Sequence, residues 1–332
     1  MSPSPKVSII IPCFNLGLYL EEAVDSVFAQ TEQDFEILIV DDGSDDAKTQ
    51  RLLADFDRPK TRVWRTENQG LARARNFLIE KSGGHYLCAL DADDRLHPEF
   101  FKKALQRFED DPGLSFVSSW LEAFGDEQWL WRQDRCDLPA LLAEDTVMTA
   151  ALVRRDAVVE IGCYAEDMPH PGDEDWDLWL RLVVAGHRGT IIPEVLFFYR
   201  RRQGQMSRDC VEGETHLDLV SYLHTKHAGS YDEHLREVLL VKEREISALL
   251  KTNHSIEMFL GQNLEPNVER RRVEIDGLER RLQALRARAG ISDLQTECER
   301  ARREVDDLRN SLSWRLTAPL RALFDLVRGR RA

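Results

Sequence analysis

Three carboxylates within four residues close an apolar run at Leu87-Cys88-Ala89-Leu90-Asp91-Ala92-Asp93-Asp94. Neighbouring acids repel one another and Asp is a poor strand former, so the cluster needs a compensating positive charge. A divalent cation, Mg²⁺ or Mn²⁺, supplies one. Such hard ions take carboxylate oxygens and usually share them with substrate phosphates. A solvated acidic turn is the plainer alternative, because Asp is a common turn residue. A second acidic group, Gly172-Asp173-Glu174-Asp175-Trp176-Asp177, opens a segment with apolar positions at 176, 179, 180, 183 and 184. The helix dipole favours one or two acids in a first turn. Four acids in the five positions 173–177 exceed that need. One of them can serve as general base toward a hydroxyl. Farther on, Arg200-Arg201-Arg202 precede a Gly-containing loop. They suit a diphosphate clamp, or else form a solvated basic loop.

The elements that must position these side chains read as alternating strands and helices. Val7-Ser8-Ile9-Ile10-Ile11-Pro12 is a β-branched strand stopped by proline, followed by a Cys13-Phe14-Asn15 loop. Spacing predicts helices over Leu18–Gln30 and Ala47–Phe56 and strands over Phe35–Val40 and Arg62–Arg65. A helix from Leu71 ends near Gly83-Gly84, Tyr86–Leu90 is the fourth strand, and Glu99–Glu109 is helical. A less regular stretch carries Trp120, Trp129 and Trp131, for acceptor contacts or for core. A short strand and helix follow within Thr149–Gly162, and Gly189–Phe198 returns to strand. This alternation implies an α/β domain with a largely parallel sheet and right-handed crossovers.

Ligands of such sheets bind beyond the carboxyl ends of the strands. Asn15, Asp41-Asp42 and Asp91-Ala92-Asp93 all fall there. The chain has neither GxGxxG nor a Walker A lysine at these ends, so dinucleotide and P-loop chemistry do not fit. A strand-end carboxylate can accept a base N–H or a ribose hydroxyl, and Arg73 and Arg75 can approach a base or phosphates. The plainer alternatives are a helix cap for the acids and a solvated helix face for the arginines.

Composition sets the bounds. A length of 332 residues predicts about two domains. The formal charge of −14 argues against general nucleic-acid binding. From Leu264 onward 16 arginines and no lysine face 12 carboxylates, so an acidic body carries a mildly basic tail. The cysteines at 13, 88, 136, 163, 210 and 298 show no metal-binding spacing and read as reduced thiols of a cytoplasmic protein. No signal-peptide pattern opens the chain, and no apolar run reaches the roughly 20 residues of a membrane span.

In order along the chain, six motifs resemble the family-2 glycosyltransferases, inverting enzymes of GT-A-type fold. They are Val7–Pro12 with Asn15; Val40-Asp41-Asp42-Gly43-Ser44; and Asn68-x-Gly70-x-Ala72-Arg73-Ala74-Arg75-Asn76. Asp91-Ala92-Asp93-Asp94, Glu174-Asp175-Trp176 with Leu178-Trp179-Leu180-Arg181, and Tyr199-Arg200 with Met206-Ser207 complete the set. The resemblance implies a Rossmann-like nucleotide-diphospho-sugar transferase domain over 1–230. In it Asp41 meets the base with Asp42 close by, Arg73 lies near the base and Asp91 near the ribose. Pro12, Asn15, Arg200 and Arg201 complete the donor site, Asp93 holds Mn²⁺ or Mg²⁺, and Asp175 is the catalytic base. The expected donor is a UDP-sugar and the acceptor a glycan or lipid-linked hydroxyl. Many relatives carry a histidine just after the Tyr-Arg pair, where this chain has Arg201-Arg202-Gln203. A clamp of arginines is expected there instead of a histidine ligand. A sugar-1-phosphate nucleotidyltransferase would want a Gly-rich, Arg-containing loop after the first strand, which Cys13-Phe14-Asn15-Leu16-Gly17 is not. A catalytically silent coiled-coil scaffold that keeps the sugar-binding domain is the rival from another class, opposed by intact Asp91, Asp93 and Asp175.

Beyond Tyr231 the chain reads as helical. Ile275, Leu278, Leu282 and Leu285, then Ile291, Leu294, Cys298, Ala301, Val305, Leu308 and Leu312, step by three and four. The two runs are out of phase across Ala289-Gly290, and Ser292 with Gln295 can cap the second. A helical or coiled-coil region over 231–310 fits either a hairpin or a homo-oligomer. The tail over 311–332 is basic and amphipathic around Trp314, fit to dock on the body or to contact the inner face of the plasma membrane. Its Ser-Trp-Arg-Leu-Thr-Ala-Pro-Leu-Arg run is similar to endings of bacterial polysaccharide and O-antigen glycosyltransferases.

Overall fold

The computed structural model describes residues 4–202 and 214–259, with five separate helical positions between 273 and 303. Four parallel strands open the chain: β1 (Val7–Cys13), β2 (Phe35–Asp42), β3 (Thr61–Thr66) and β4 (Tyr86–Ala89). Helices α1 (Gly17–Phe28), α2 (Ala47–Ala54) and α3 (Leu71–Lys81) connect them. Then come β5 (Arg95–Leu96), α4 (Phe100–Asp110), β6 (Leu114–Gly125), β7 (Trp129–Trp131) and α5 (Leu138–Ala143). β8 (Leu152–Arg154), α6 (Arg155–Glu160), α7 (Glu174–Val184), β9 (Arg188–Arg201), α8 (Glu214–Lys226) and α9 (Ala228–Phe259) follow.

The nine strands form one sheet in the order β3-β2-β1-β4-β8-β6-β9-β5, with β7 on β6. Only its first half is uniformly parallel. β8 runs antiparallel to both β4 and β6, and β5 antiparallel to β9. The expected largely parallel sheet is therefore a mixed one. Strand residues alternate between two cores. Ile9, Ile11, Ile37 and Ile39 pack toward α1 and α4, while Ile10, Leu38 and Val40 pack toward α3, α5 and α7. This period-two division is what strands covered on both faces require.

Three expectations need correction. The stretch read as irregular holds the 12-residue β6, whose buried Ser115, Ser118 and Ser119 interrupt its apolar pattern. Those hydroxyls are satisfied: Ser115 by His187 Nδ1, Ser118 by the Met148 N–H, and Ser119 by donation to the Trp120 carbonyl. β9 extends past Phe198 to Arg201, because it pairs with β6 to its end at Gly125. Helix also begins at Glu214, ahead of Tyr231. Residue 230 lies inside α9, and the first compact unit ends at Arg244. The heptad runs and the basic tail lie outside the continuously described residues, as do Met206-Ser207, Cys210 and Cys298. The four described cysteines, 13, 88, 136 and 163, are free thiols. No described helix is long and apolar enough to cross a membrane.

One acid of the second cluster is structural. Asp177 is fully buried and meets Arg181 Nε at 2.7 Å, Lys226 Nζ at 3.0 Å and His227 Nε2 at 3.3 Å. Arg181 also donates to the Ile161 and Cys163 carbonyls, so α7, that loop and the end of α8 share one clasp. Burial alone would raise the Asp177 pKa, but His227, Arg181 and Lys226 outweigh it and bring the group to about 2. A carboxylate held below its unfolded value stabilises the fold above about pH 4, and that stability is lost as pH falls toward 2. Asp177→Asn is therefore expected to cost about 2 kcal/mol at pH 7 and almost nothing near pH 2, at about 1.4 kcal/mol per pKa unit. Urea titrations at several pH values check this, and an equal loss at all pH values would contradict it.

Candidate donor and acceptor site

The carboxyl ends of β1, β2 and β4 open on one edge of the sheet. Pro12 is buried and lies past the last β1–β4 pair, Ile10↔Ala89, where the two strands part. Just beyond, Asn15 takes a left-handed backbone (φ 58°). Its Oδ1 accepts from the Asp45 and Asp46 N–H groups at 3.0 Å, and its Nδ2 donates to Asp45 Oδ1 at 2.7 Å. Asn15 thus ties the β1 loop to the β2 loop.

Asp41 and Asp42 are both buried, with different partners. Asp41 Oδ1 accepts from the Ser44 N–H at 2.8 Å and its Oδ2 faces Arg65 at 3.5 Å. Asp42 accepts from the Gln69 and Gly70 N–H groups at 3.0 Å, binding the entrance of α3 through backbone donors. Gly43 follows them at φ 74°, where an added Cβ would lie 2.5 Å from the Asn68 nitrogen. Only glycine fits that turn.

Arg75, considered for base or phosphate contact, instead occupies the centre of the site. It is 1% exposed, with one guanidinium nitrogen 2.8 Å from Asp91 Oδ1 and another 2.5 Å from Glu174 Oε1. A single buried cation therefore links the β4 end to the first turn of α7. Arg73 lies elsewhere, half exposed and paired with Glu166 at 3.1 Å. Asn76 fixes the same loop by exchanging hydrogen bonds with the backbone of Tyr164, whose ring lies 5.2 Å from the Arg75 guanidinium.

Asp93 and Asp94 are buried beside Asp91. Burial first, then the Asp91 charge, raises the Asp93 pKa, while Arg202 opposes the rise. Asp94 is raised well above its ordinary value by burial, then by Asp93 and Asp91, with Arg200 opposing. Among the described residues, no three His, Cys, Asp or Glu side chains form a metal cage. The set nevertheless suits a divalent ion that takes one or two carboxylates and finds its other ligands in phosphate and water. Buried acids that raise one another's pKa are what such an ion would relieve.

The end of β9 and the residue after it carry three successive arginines. Arg200 is fixed: its N–H donates to Asp94, its Nε to the Asp93 carbonyl at 2.8 Å, and its guanidinium pairs with Glu22. Arg202 returns to the same side, its Nε 2.8 Å from Asp93 Oδ2. Arg201 pairs with Glu127 at 3.2 Å, its guanidinium over the Tyr199 ring, away from Asp93. The sequence pointed to Arg200 and Arg201 for the donor site. Period-two alternation would have paired Arg200 with Arg202 had the strand been carried past Phe198.

Asp175 is half-buried at the start of α7. Its Oδ2 accepts from the Thr149 hydroxyl and its Oδ1 from the Trp176 N–H at 3.0 Å. Asp173, at φ 55°, precedes it with a buried oxygen, Oδ2, that has no partner among the described residues. Burial, then the charges of Asp175 and Glu174, raises Asp173 to about 7. Asp145 is raised by burial and then by Asp175. Sequence reasoning missed Thr149 and Asp145, which approach α7 from a loop with no motif of its own.

The glycosyl transferase family 2 model matches residues 8–164, which include Asn15 beyond β1 and the strand-end acids of β2 and β4. The segment 8–164 belongs to glycosyl transferase family 2. An uncharacterized glycosyltransferase of Methanocaldococcus jannaschii is 24% identical over 220 residues, 61% of this chain and 74% of its own length. The chondroitin synthase of Pasteurella multocida is 35% identical over 34% of this chain but only 12% of the synthase. The matched segment is thus a small part of that longer protein. S. aureus TarS 1–349 in complex with UDP-GlcNAc superposes with a TM-score of 0.51 at 15% identity, over 70% of this chain and 78% of that one. At that identity the likeness establishes the GT-A fold of this glycosyltransferase domain.

Proposed function

We propose that the chain moves a sugar from a nucleotide-diphosphate donor, most simply a UDP-sugar, to a hydroxyl of a glycan or lipid-linked acceptor, with inversion, in cell-surface polysaccharide synthesis. The observation that carries this is the Arg75 bridge, which joins the strand-end acid Asp91 to Glu174 in the α7 turn that bears Asp175. The chondroitin synthase and UDP-GlcNAc-bound TarS relatives support the same class of donor and product.

On this reading Asp41 accepts a base N–H, and Asp42 with Asn15 and Pro12 shapes the loops around the base. Asp91 accepts from the ribose. Asp93, with the diphosphate and water, would hold Mg²⁺ or Mn²⁺, which supplies Lewis-acid neutralisation of leaving-group charge. Arg200 fixes the Asp93-Asp94 turn, and Arg202 lies within reach of the diphosphate. Arg73 and Arg201 reach donor only by leaving Glu166 and Glu127. Thr149 and the Trp176 N–H orient Asp175, which takes the proton of the acceptor hydroxyl as its oxygen attacks the anomeric carbon from the face opposite the leaving diphosphate. The C-terminal helices would supply self-association and the basic tail membrane contact.

Calorimetric titration of UDP with and without Mn²⁺ tests the donor site. Wild type is expected to bind UDP more tightly with Mn²⁺, and Asp93→Ala to lose that metal-dependent gain. Failure of wild type to bind UDP, GDP or dTDP under either condition would leave the domain as a scaffold.

A further inference from the structure

Arg200 and Arg202 share a face of the β9 end yet differ in freedom. The Arg200 guanidinium is 15% exposed and packs 4.4 Å from the Phe124 ring and 4.7 Å from the Tyr19 ring, besides its bonds to Glu22 and Asp93 O. Two rings, a carboxylate and a carbonyl hold it in place. Arg202 follows the last residue of the strand, and its side chain is 25% exposed. Its guanidinium lies 5.8 Å from the Tyr19 ring, and its ion pair joins a long, partly exposed side chain to a carboxylate that is only 6% exposed.

That pair does for Asp93 what a metal would do. The Arg202 Nε lies 2.8 Å from Asp93 Oδ2, so a positive charge already sits against that oxygen. A guanidinium and a divalent ion on one carboxylate repel each other, so both cannot hold it at full strength. A metal ion arriving alone meets an acid already neutralised. One arriving with a diphosphate brings the oxygens to which a planar guanidinium can move with two parallel hydrogen bonds.

On the donor-site reading above, we propose that Arg202 is the resident counter-ion of Asp93, displaced onto the donor diphosphate when the metal takes the carboxylate. Metal and nucleotide then bind with positive coupling, and linkage requires each to tighten the other by the same factor. Removing Arg202 abolishes the competition and the diphosphate contact together. The two affinities therefore move in opposite directions, which a merely structural role for the arginine does not produce.

The test is a Mn²⁺ titration of the full chain followed by the paramagnetic resonance signal of free Mn²⁺, with and without UDP. Arg202→Gln is expected to bind Mn²⁺ alone about tenfold more tightly than wild type and UDP in saturating Mn²⁺ about tenfold more weakly, within the usual range of coupling. Arg202→Lys keeps the charge but not the fork, so its affinity for Mn²⁺ alone stays at the wild-type value while UDP binding weakens. Unchanged or weaker Mn²⁺ binding by Arg202→Gln, in a protein whose wild type binds UDP, overturns the counter-ion role and leaves the donor site standing. Should Arg202→Gln not fold, Arg202→Lys decides: undiminished UDP affinity overturns the proposal. Wild type that binds no UDP at any Mn²⁺ concentration overturns the donor site and this role together.

Discussion

Asp175→Asn is expected to lower kcat by about 10²- to 10⁴-fold, the usual worth of a general base, with UDP affinity, and thermal stability at pH 5, nearly unchanged. The substitution keeps the shape of the side chain. Asn can still accept from the Trp176 N–H through its oxygen, and its amide can donate to the Thr149 oxygen, so the α7 turn has no reason to move. What disappears is the lone pair that takes the proton, together with one negative charge. Loss of that charge has a second, independent signature. Asp173 is raised to about 7 first by burial and then by Asp175 and Glu174. A folded pKa above the unfolded value means that stability declines as pH rises through 7, because the native state holds the extra proton. Asp175→Asn removes one source of that rise, so the variant is expected to lose less stability than wild type between pH 5 and 8. A variant that loses binding and turnover equally, or that stays within about tenfold of wild-type kcat, removes Asp175 from the role.

The legible part of this molecule was the part ruled by local pattern. Val7–Pro12, Phe35–Val40 and Tyr86–Leu90 are β-branched or apolar runs with abrupt polar ends, and each is a strand of the parallel half. The first turns of α3 and α7 stood out because Gly70 and the acids at 173–175 are local signals for a helix start. What sequence did not reveal was which side chain meets which. Asp91 and Glu174 are separated by 83 positions, yet one arginine serves both. Nothing in the spacing distinguishes Arg75 from Arg73 until the α3 face is known, and then the two diverge completely: one is buried between carboxylates, the other half exposed beside Glu166. β6 escaped detection for a related reason. Three serines in a strand look like a loop until each is seen to have a partner.

Arg75→Met should be among the most destabilising single changes in the domain, by about 3–5 kcal/mol, because it strands two acids where one buried cation had served both. The methionine fills the volume and carries no charge, so the loss is electrostatic rather than a cavity effect. Glu174 is buried, and its pKa is raised by burial, with Arg75 the principal influence pulling it back. Without Arg75 its native form holds a proton more strongly than the unfolded chain does. The variant's stability must therefore fall with rising pH above about 4.5, the range in which the unfolded chain has released that proton. The deficit relative to wild type is expected to be smallest near pH 5 and largest at pH 8. Adding Glu174→Gln to Arg75→Met removes the stranded buried charge, so the double variant should recover part of the loss despite carrying two substitutions. Urea titrations of wild type, both single variants and the double variant at pH 5 and 8 measure the coupling directly. Additive losses independent of pH would mean that the bridge is a by-product of packing. Strong coupling that grows with pH would identify Arg75 as the charge that holds the β4 end and the α7 turn in one arrangement.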